Sequence, residues 1–338
     1  MIEDTLKNKK NNNNNKESIV EKINLNDIII GEKLCKCNYG FIAYCKKIQS
    51  NKIHSLKILK KVNLLSEKYV ERQYNEYKNL SQIYHPFIIE LRGINHIDPY
   101  HLYYMYELVP GESIKYLIKA NTKLPLETVK FYSASIITAL DYLHKKNIIE
   151  RDLRPENIFL NSDGYIKLSE FTFSKKLKND SDYSYSICGI PEYYSPEMIN
   201  RTGYNKCIDF WQLGILIYEM ITGYPPFIEN NPVKLYKLIN KGKINFPKGF
   251  NKSAKKIIKL FLKTDKNKRL GCSSKGIYDI IQQSFFKEFD WEGLLNRQLK
   301  PPFIPKIRKI CVNSNNNNLF EENNEFVPKE NDPFYNWD

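Results

Sequence analysis

The apolar positions change rhythm once along this chain. Up to about residue 108 they fall in short runs of strand character. Ile28–Leu34, Phe41–Cys45 and Ile53–Leu59 predict three strands within residues 27–60, and Leu102–Leu108 predicts another. Ser66–Leu80 is a helical stretch among them. From about Leu124 helical spacing takes over. Glu127–Leu143 predicts an amphipathic helix opened by Pro125, since a first turn has no use for the N–H that proline lacks. Ile208–Ile221 is apolar almost all round and is stopped by Gly223 and Pro225-Pro226, so it belongs inside a core. A small strand-rich unit followed by a larger helical one is an α+β, two-lobed arrangement. Lys7–Lys16 and Asn313–Asn318 are low-complexity runs with nothing to bury, and the first is expected to be disordered.

Composition narrows the class. At 338 residues with 42% hydrophobic content the chain has ample material for a core. It has no run of about 18 apolar residues, so no membrane span is expected. The start, MIEDTLKNKK, has no apolar signal core, and Ile2 leaves no glycine to myristoylate. A cytoplasmic protein is the expectation, with the nucleus as the other option. The cysteines number seven and are scattered from Cys35 to Cys311, without zinc-finger spacing, so reduced thiols are expected. The formal net charge is +14, and Val233–Leu270 holds thirteen Lys or Arg against Asp265 alone. Without a zinc finger, RNP-like aromatics or a basic zipper, this excess reads as solvated helix faces, and no nucleic-acid partner is expected.

Four separated features fall in a fixed order. Lys57 lies within Ser55-Leu56-Lys57-Ile58-Leu59, and Glu76 follows on the next predicted helix. Arg151-Asp152-Leu153-Arg154-Pro155-Glu156-Asn157 sets Asp152 and Asn157 five apart, and Ser195-Pro196-Glu197 closes the series. A strand lysine or an Arg-Asp pair alone says little. In this register the four resemble the motifs of protein kinases. Gly203-Tyr204-Asn205-Lys206, Tyr218-Glu219-Met220, Gly223-Tyr224-Pro225-Pro226-Phe227 and Phe303-Ile304-Pro305-Lys306 extend the resemblance to the AGC group, and within it to the cAMP-dependent protein kinase catalytic subunits.

The resemblance covers roughly residues 27–338. It implies a low-complexity tail over 1–26 and a kinase domain over 27–286, with an N-lobe at 27–106 and a C-lobe at 107–286. An AGC-type C-terminal tail follows at 287–338. The implied cofactors are ATP and Mg2+. By resemblance Lys57 grips the α- and β-phosphates and pairs with Glu76, Asp152 accepts or orients the substrate hydroxyl, Arg154 neutralises the γ-phosphate, and Asn157 and Glu170 bind magnesium. The nucleotide would further meet Leu34, Cys35, Cys37, Gly40, Ile42, Ser55, Tyr106, Glu107, Phe159 and Ser169. Asp209 would anchor the catalytic loop, and Glu197 would brace against Arg269.

Several positions depart from the family pattern. Of Gly-x-Gly-x-x-Gly only the last glycine survives, in Cys35-Lys36-Cys37-Asn38-Tyr39-Gly40, and a Cβ at position 37 should push the loop from the phosphates. Alternate strand residues share a face, so both thiols could point at the nucleotide. Asp-Phe-Gly has become Glu170-Phe171-Thr172, which keeps the charge one methylene further out and weakens magnesium geometry. Arg154 replaces a lysine, and Ile190 replaces a threonine that ties the catalytic aspartate. Glu150 stands where His or Tyr packs on Phe171, so it must be paired, exposed or protonated. Tyr106 and Phe159 add bulk to the adenine pocket.

For substrates, Glu112, Glu156 and Glu219 stand where relatives bind arginines just before the target Ser or Thr, through charge-assisted forks. The implied partner is a protein with basic residues before the acceptor, or a pseudosubstrate of that shape. Tyr185 and Tyr236 match positions that contact a cAMP-binding regulatory subunit. Asp180–Ser186 should be the activation loop, with Ser186 as phosphosite beside Arg151 and Ser184 as the second choice. Phe334-Tyr335-Asn336-Trp337-Asp338 should dock on the small lobe, with Asp338 as a fixed negative charge. Two functions follow: a slow or conditional serine/threonine kinase, or a pseudokinase scaffold that binds without turnover.

Overall fold

The computed structural model describes residues 20–179, 181–307, 310, 312, 319 and 326–337. They fall into two compact units. One holds the described residues up to Tyr84, Ile89–Pro110 and the described residues from Lys306 on; the other holds His85–Ile88 and the described residues of Gly111–Pro305. The division thus comes at 110/111, not 106/107, and the expected tail is shared out at residue 305 between the two.

The first unit is built on a six-stranded sheet of order β1-β5-β6-β4-β3-β2. Its strands are β1 (Glu21–Lys22), β2 (Ile28–Cys37), β3 (Gly40–Lys47), β4 (Ile53–Lys60), β5 (Leu91–Asn95) and β6 (His101–Glu107). Alternation along the strands sends Phe41, Ala43 and Cys45, Leu56 and Ile58, and Tyr103 and Met105 into one cluster. β1 pairs parallel to β5, so the last residues of the stretch 1–26, expected to be a largely disordered low-complexity tail, are built into the unit from residue 20 on. Gly93 makes this possible, because a Cβ there would meet the Ile23 side chain at 2.8 Å. Between β4 and β5 runs α1 (Glu67–Ser81), which buries Gln73, Glu76, Asn79 and Leu80, only one of them apolar.

The terminal aromatics dock on this unit as expected. Phe334 and Trp337 are buried, and the Trp337 ring stacks on Tyr77 of α1 at 6.1 Å and meets Tyr74 edge-on at 5.4 Å. Asp332 pairs with the fully buried Lys61. Asp338, Asn313–Asn318 and Lys7–Lys16 lie outside the described residues.

In the second unit α2 (Ile114–Asn121) and α3 (Leu126–Lys145) precede the short strands β7 (Ile148–Ile149), β8 (Ile158–Leu160) and β9 (Ile166–Leu168). Then come β10 (Lys175–Lys176), α4 (Pro196–Ile199), α5 (Cys207–Thr222), α6 (Pro232–Lys241) and α7 (Lys252–Phe261). α5 is buried on nearly every side, as its all-round apolarity predicts. It ends at Gly223, whose φ of +91° and approach to the Thr122 carbonyl, at 2.2 Å from a would-be Cβ, leave no room for a side chain. Arg269 forks onto buried Glu197 at 2.6 and 2.8 Å, the brace anticipated for this pair. α7 buries Ala254, Ile257, Ile258 and Phe261 and turns its lysines to solvent, which is the solvated face expected of the basic stretch. One cysteine expectation fails: Cys207 and Cys272, with Cα atoms 5.5 Å apart, are joined as a disulfide, while Cys35, Cys37, Cys45 and Cys188 carry thiols. Among the described residues no helix is long and apolar enough to cross a membrane.

Candidate active site

On the sheet unit, β4 delivers Lys57 and α1 delivers Glu76. Both are buried, and the Lys57 ammonium lies 2.9 and 3.1 Å from the two Glu76 oxygens. Burial of such a pair is tolerable only when the remaining lone pairs are satisfied. β6 does this: the buried Tyr106 donates its hydroxyl to Glu76 Oε1 at 2.7 Å. Two residues earlier on the same face, Tyr104 donates to the Gln73 carbonyl of α1 at 3.1 Å. Tyr106 was anticipated only as bulk in the adenine pocket; its hydroxyl is a third hold on the Glu76 carboxylate. Ser55 and Glu107 also meet, with the Ser55 hydroxyl donating to the Glu107 carbonyl at 3.2 Å.

The loop at residues 35–40 is a tight hairpin in which Cys37 pairs with Gly40 and Tyr39 takes φ +68°. Gly40 is needed for packing, since a Cβ would fall 1.9 Å from the Ile58 carbonyl oxygen on β4. Cys35 and Leu34 are exposed, and Cys37 and Ile42 half-buried. Although the Cys35 residue is exposed, local desolvation around its sulfur pushes the thiol up, against the opposing pull of Lys33. Tyr39 at the hairpin tip packs on Tyr69 of α1, ring centroids 4.9 Å apart.

On the helical unit, side chains of α5 hold the loop that carries Asp152 by its backbone. Asp209 accepts from the N–H groups of Glu150 at 3.1 Å and Arg151 at 3.0 Å and meets His144 Nε2 at 2.7 Å. Gln212, one turn further on, accepts from Leu153 N–H and donates to the Arg151 carbonyl. Between these two clamps Arg151 sits at φ +73°, a left-handed conformation that such over-determination sustains. Asp209 was anticipated as an anchor. Gln212 was not, although its spacing of three residues on one helix places it on the same face.

This frame aims Asp152. Its carboxylate accepts from Asn157 Nδ2 at 2.7 Å and Arg154 Nε at 3.2 Å, and its N–H donates to Glu150 Oε2 at 2.8 Å. Gly189, at φ +84°, keeps the space beside it open, because a Cβ there would lie 2.9 Å from Asp152 Oδ1. Burial pushes the Asp152 carboxyl up to about 6, with Arg154 and Asn157 pulling the other way. Glu150 is buried beside Asp209 and Asp152, and burial first, then those charges, raise its pKa well above the carboxylate range. Of the three options open to Glu150, the neutral acid is favoured. The Asn157 nitrogen is committed to Asp152, donating to its backbone carbonyl at 2.9 Å as well as to its carboxylate.

Glu170 and Thr172 act as a unit. The Thr172 hydroxyl and N–H both turn to Glu170 Oε1, the N–H at 3.1 Å. The residue that replaced a flexible glycine thus orients the longer carboxylate that replaced an aspartate. Ser169 is tied to the loop instead of standing open, its hydroxyl donating to the Asn157 carbonyl at 2.9 Å, and Phe159 on β8 is half-buried.

The three acidic residues differ. Glu112 is exposed, Glu156 is partly exposed, and Glu219 is buried with Tyr193 and Lys115 on its two oxygens, each at 2.7 Å. Lys115 was missed, although it stands one helical turn from Glu112 in the chain. Arg151 Nη1 reaches Ser186 at 2.9 Å, Tyr204 at 3.0 Å and Ser184 at 3.3 Å. Ser186 is exposed and Ser184 buried in a bridge to Tyr204, which separates the two phosphosite candidates. Tyr185 is 63% exposed, and Tyr236 is half-buried against Tyr194.

Residues 28–286 match the family described as protein kinase domain. The cAMP-dependent protein kinase catalytic subunit PRKX of Homo sapiens is 39% identical over 269 residues, covering 80% of this chain and 74% of its own. The cAMP-dependent protein kinase catalytic subunit 3 of Drosophila melanogaster is 37% identical over 288 residues, 85% of this chain and 49% of its own. The cAMP-dependent protein kinase catalytic subunit of Dictyostelium discoideum is 38% identical over 277 residues, 82% of this chain and 42% of its own. The chain thus spans about half the length of two of these relatives. Lys57 with Glu76, the clamped Asp152 loop and the Glu197–Arg269 brace agree with that match, and the chain belongs to the protein kinase family, among the relatives of the cAMP-dependent protein kinase catalytic subunits.

Proposed function

We propose that the chain is a serine/threonine protein kinase that transfers a phosphoryl group from Mg-ATP to a Ser or Thr hydroxyl in basic sequences. The carrying observation is Asp152: a buried carboxylate aimed by Asn157 and Arg154 and tuned to about 6, so it is ionised near neutral pH yet still able to take a proton. In this role Asp152 receives the hydroxyl proton as the new O–P bond forms. Arg154, beside it, lends positive charge to the group in transit, and Lys57, fixed by Glu76, holds the phosphates. The Glu170 carboxylate and the Asn157 amide oxygen are hard ligands suited to magnesium, and a bound ion supplies charge neutralisation on the triphosphate. Among the described residues no group of three or more His, Cys, Asp or Glu gathers as a cage, so these two ligands would share the ion with the phosphates.

Arginines before the acceptor would be read by Glu112, Glu156 and Glu219. Phosphorylation of the exposed Ser186 would place its phosphate against Arg151 and tighten the activation segment. Tyr185 and Tyr236 are the proposed contacts for a regulatory subunit.

The test is transfer of labelled phosphate from Mg-ATP to an Arg-Arg-Ala-Ser peptide. Wild type should be active, and Glu170→Asp with Thr172→Gly should raise the rate. No transfer even by the repaired variant would move the reading to a scaffold that binds without turnover.

A further inference from the structure

The acidic pair on which the arginine preference rests already holds a cation of this chain. Lys115 lies in the first turn of α2, which Ser113 caps by accepting from the Tyr116 N–H. Its ammonium is 2.7 Å from Glu219 Oε1 and 3.4 Å from Glu156 Oε1. Glu219 is almost sealed, and the Tyr193 hydroxyl occupies its other oxygen. Glu156 Oε2 is buried without a hydrogen-bond partner, its nearest cation being Arg154 Nη1 at 3.9 Å. Two carboxylates therefore face one ammonium at contact distance and one guanidinium at the rim. The ammonium thus offsets about one of the two negative charges, and the guanidinium is shared with Asp152.

We propose that Lys115 is a specificity-determining residue that stands in for a substrate arginine at Glu156 and Glu219, so that arginine before the acceptor contributes less here than the two carboxylates alone would give. The inference rests on the substrate reading above. An incoming guanidinium has two routes. It can take only the buried Glu156 Oε2, once the partly exposed side chain turns that oxygen outward, and form half of a fork, or it can displace Lys115 from Glu219. Displacement is feasible, because the Lys115 side chain is 31% exposed on a flexible stem and can swing to water. It also requires breaking a charge-assisted hydrogen bond to a nearly buried carboxylate, so much of the arginine's gain is cancelled. The arginine preference is reduced and remains recoverable.

The test uses the full chain as wild type, Lys115→Ala and Lys115→Gln. The Gln variant keeps a donor for Glu219 without the charge, in case the Ala variant fails to fold. The readout is the ratio of kcat/KM for an Arg-Arg-Ala-Ser peptide to that for its Ala-Ala-Ala-Ser counterpart. Both variants should raise this ratio by about tenfold, the scale of one charge-assisted hydrogen bond. An unchanged ratio in a variant that melts like wild type overturns the proposal. If neither peptide is phosphorylated, the kinase reading has failed separately. The same peptides are then compared by fluorescence anisotropy: stronger arginine-dependent binding to Lys115→Gln supports the stand-in, and equal binding refutes it.

Discussion

Asp152 is held in a site that resists its charge. Its folded pKa of about 6 lies above the ordinary 3.8, so between those values the folded chain binds more protons than the unfolded one. Its contribution to stability is present below about pH 4 and is lost as pH rises through about 6, on the order of 3 kcal/mol. Asp152→Asn should therefore melt no lower than wild type at pH 7.5, which thermal unfolding checks. Activity runs the opposite way, because the ionised form is the one that accepts a proton. kcat/KM should fall about tenfold per pH unit below about 6, and a flat profile from pH 7.5 to 5 would contradict the assignment.

At this scale the sequence was informative wherever a residue type matched a motif position. The Lys57–Glu76 pair, the Asp209 anchor and the Glu197–Arg269 brace stand in the contacts anticipated for them. It was silent where a substitution drew its meaning from a neighbour in space. Thr172 looked like a lost glycine until its hydroxyl was found on Glu170, and Tyr106 looked like bulk until its own was found on Glu76.

Among elements, α1 has a largely polar seat. Three of its four buried residues are polar, so beside the aromatic packing of Tyr69, Tyr74 and Tyr77 the hydroxyls of Tyr104 and Tyr106 act as hooks from β6. Losing one hydrogen bond to a charged group costs about 1.5–3 kcal/mol. Tyr106→Phe should thus accelerate amide exchange across Glu67–Ser81 by about tenfold or more and lower kcat. On a Glu76→Gln background the same change should have little further effect, since the pair acts as one unit. Exchange identical to wild type would show that Tyr106 only fills space. Strands β2, β3, β4 and β6 and helices α1, α3 and α5 were legible within a few residues, because their periods of 2 and 3.6 differ plainly, whereas β5, α6 and α7 were not anticipated. β1 was not, since two residues paired to an edge carry no period at all.

For the whole molecule, the C-terminal segment completes the sheet unit, although it is remote from it in sequence. Phe334 and Trp337 bury their rings, Trp337 stacks on Tyr77, and Asp332 neutralises the buried Lys61. Deleting Phe334–Asp338 removes two large apolar contacts and should lower the melting temperature by on the order of 5 °C or more. An unchanged value would mean the segment is not docked in solution. The two-unit division was legible from the change of rhythm along the chain, but its placement at 110/111 and the sharing of the tail at 305 depend on contacts between distant segments.

The central claim is phosphoryl transfer with Asp152 as the group that receives the proton. It is tested most directly by single-turnover transfer from Mg-ATP to a Ser peptide, with wild type and Asp152→Asn compared at pH 7.5. The account predicts measurable phosphoserine with wild type and a rate at least about a hundredfold lower with the folded variant. Equal rates, or no phosphoserine from wild type, would contradict it.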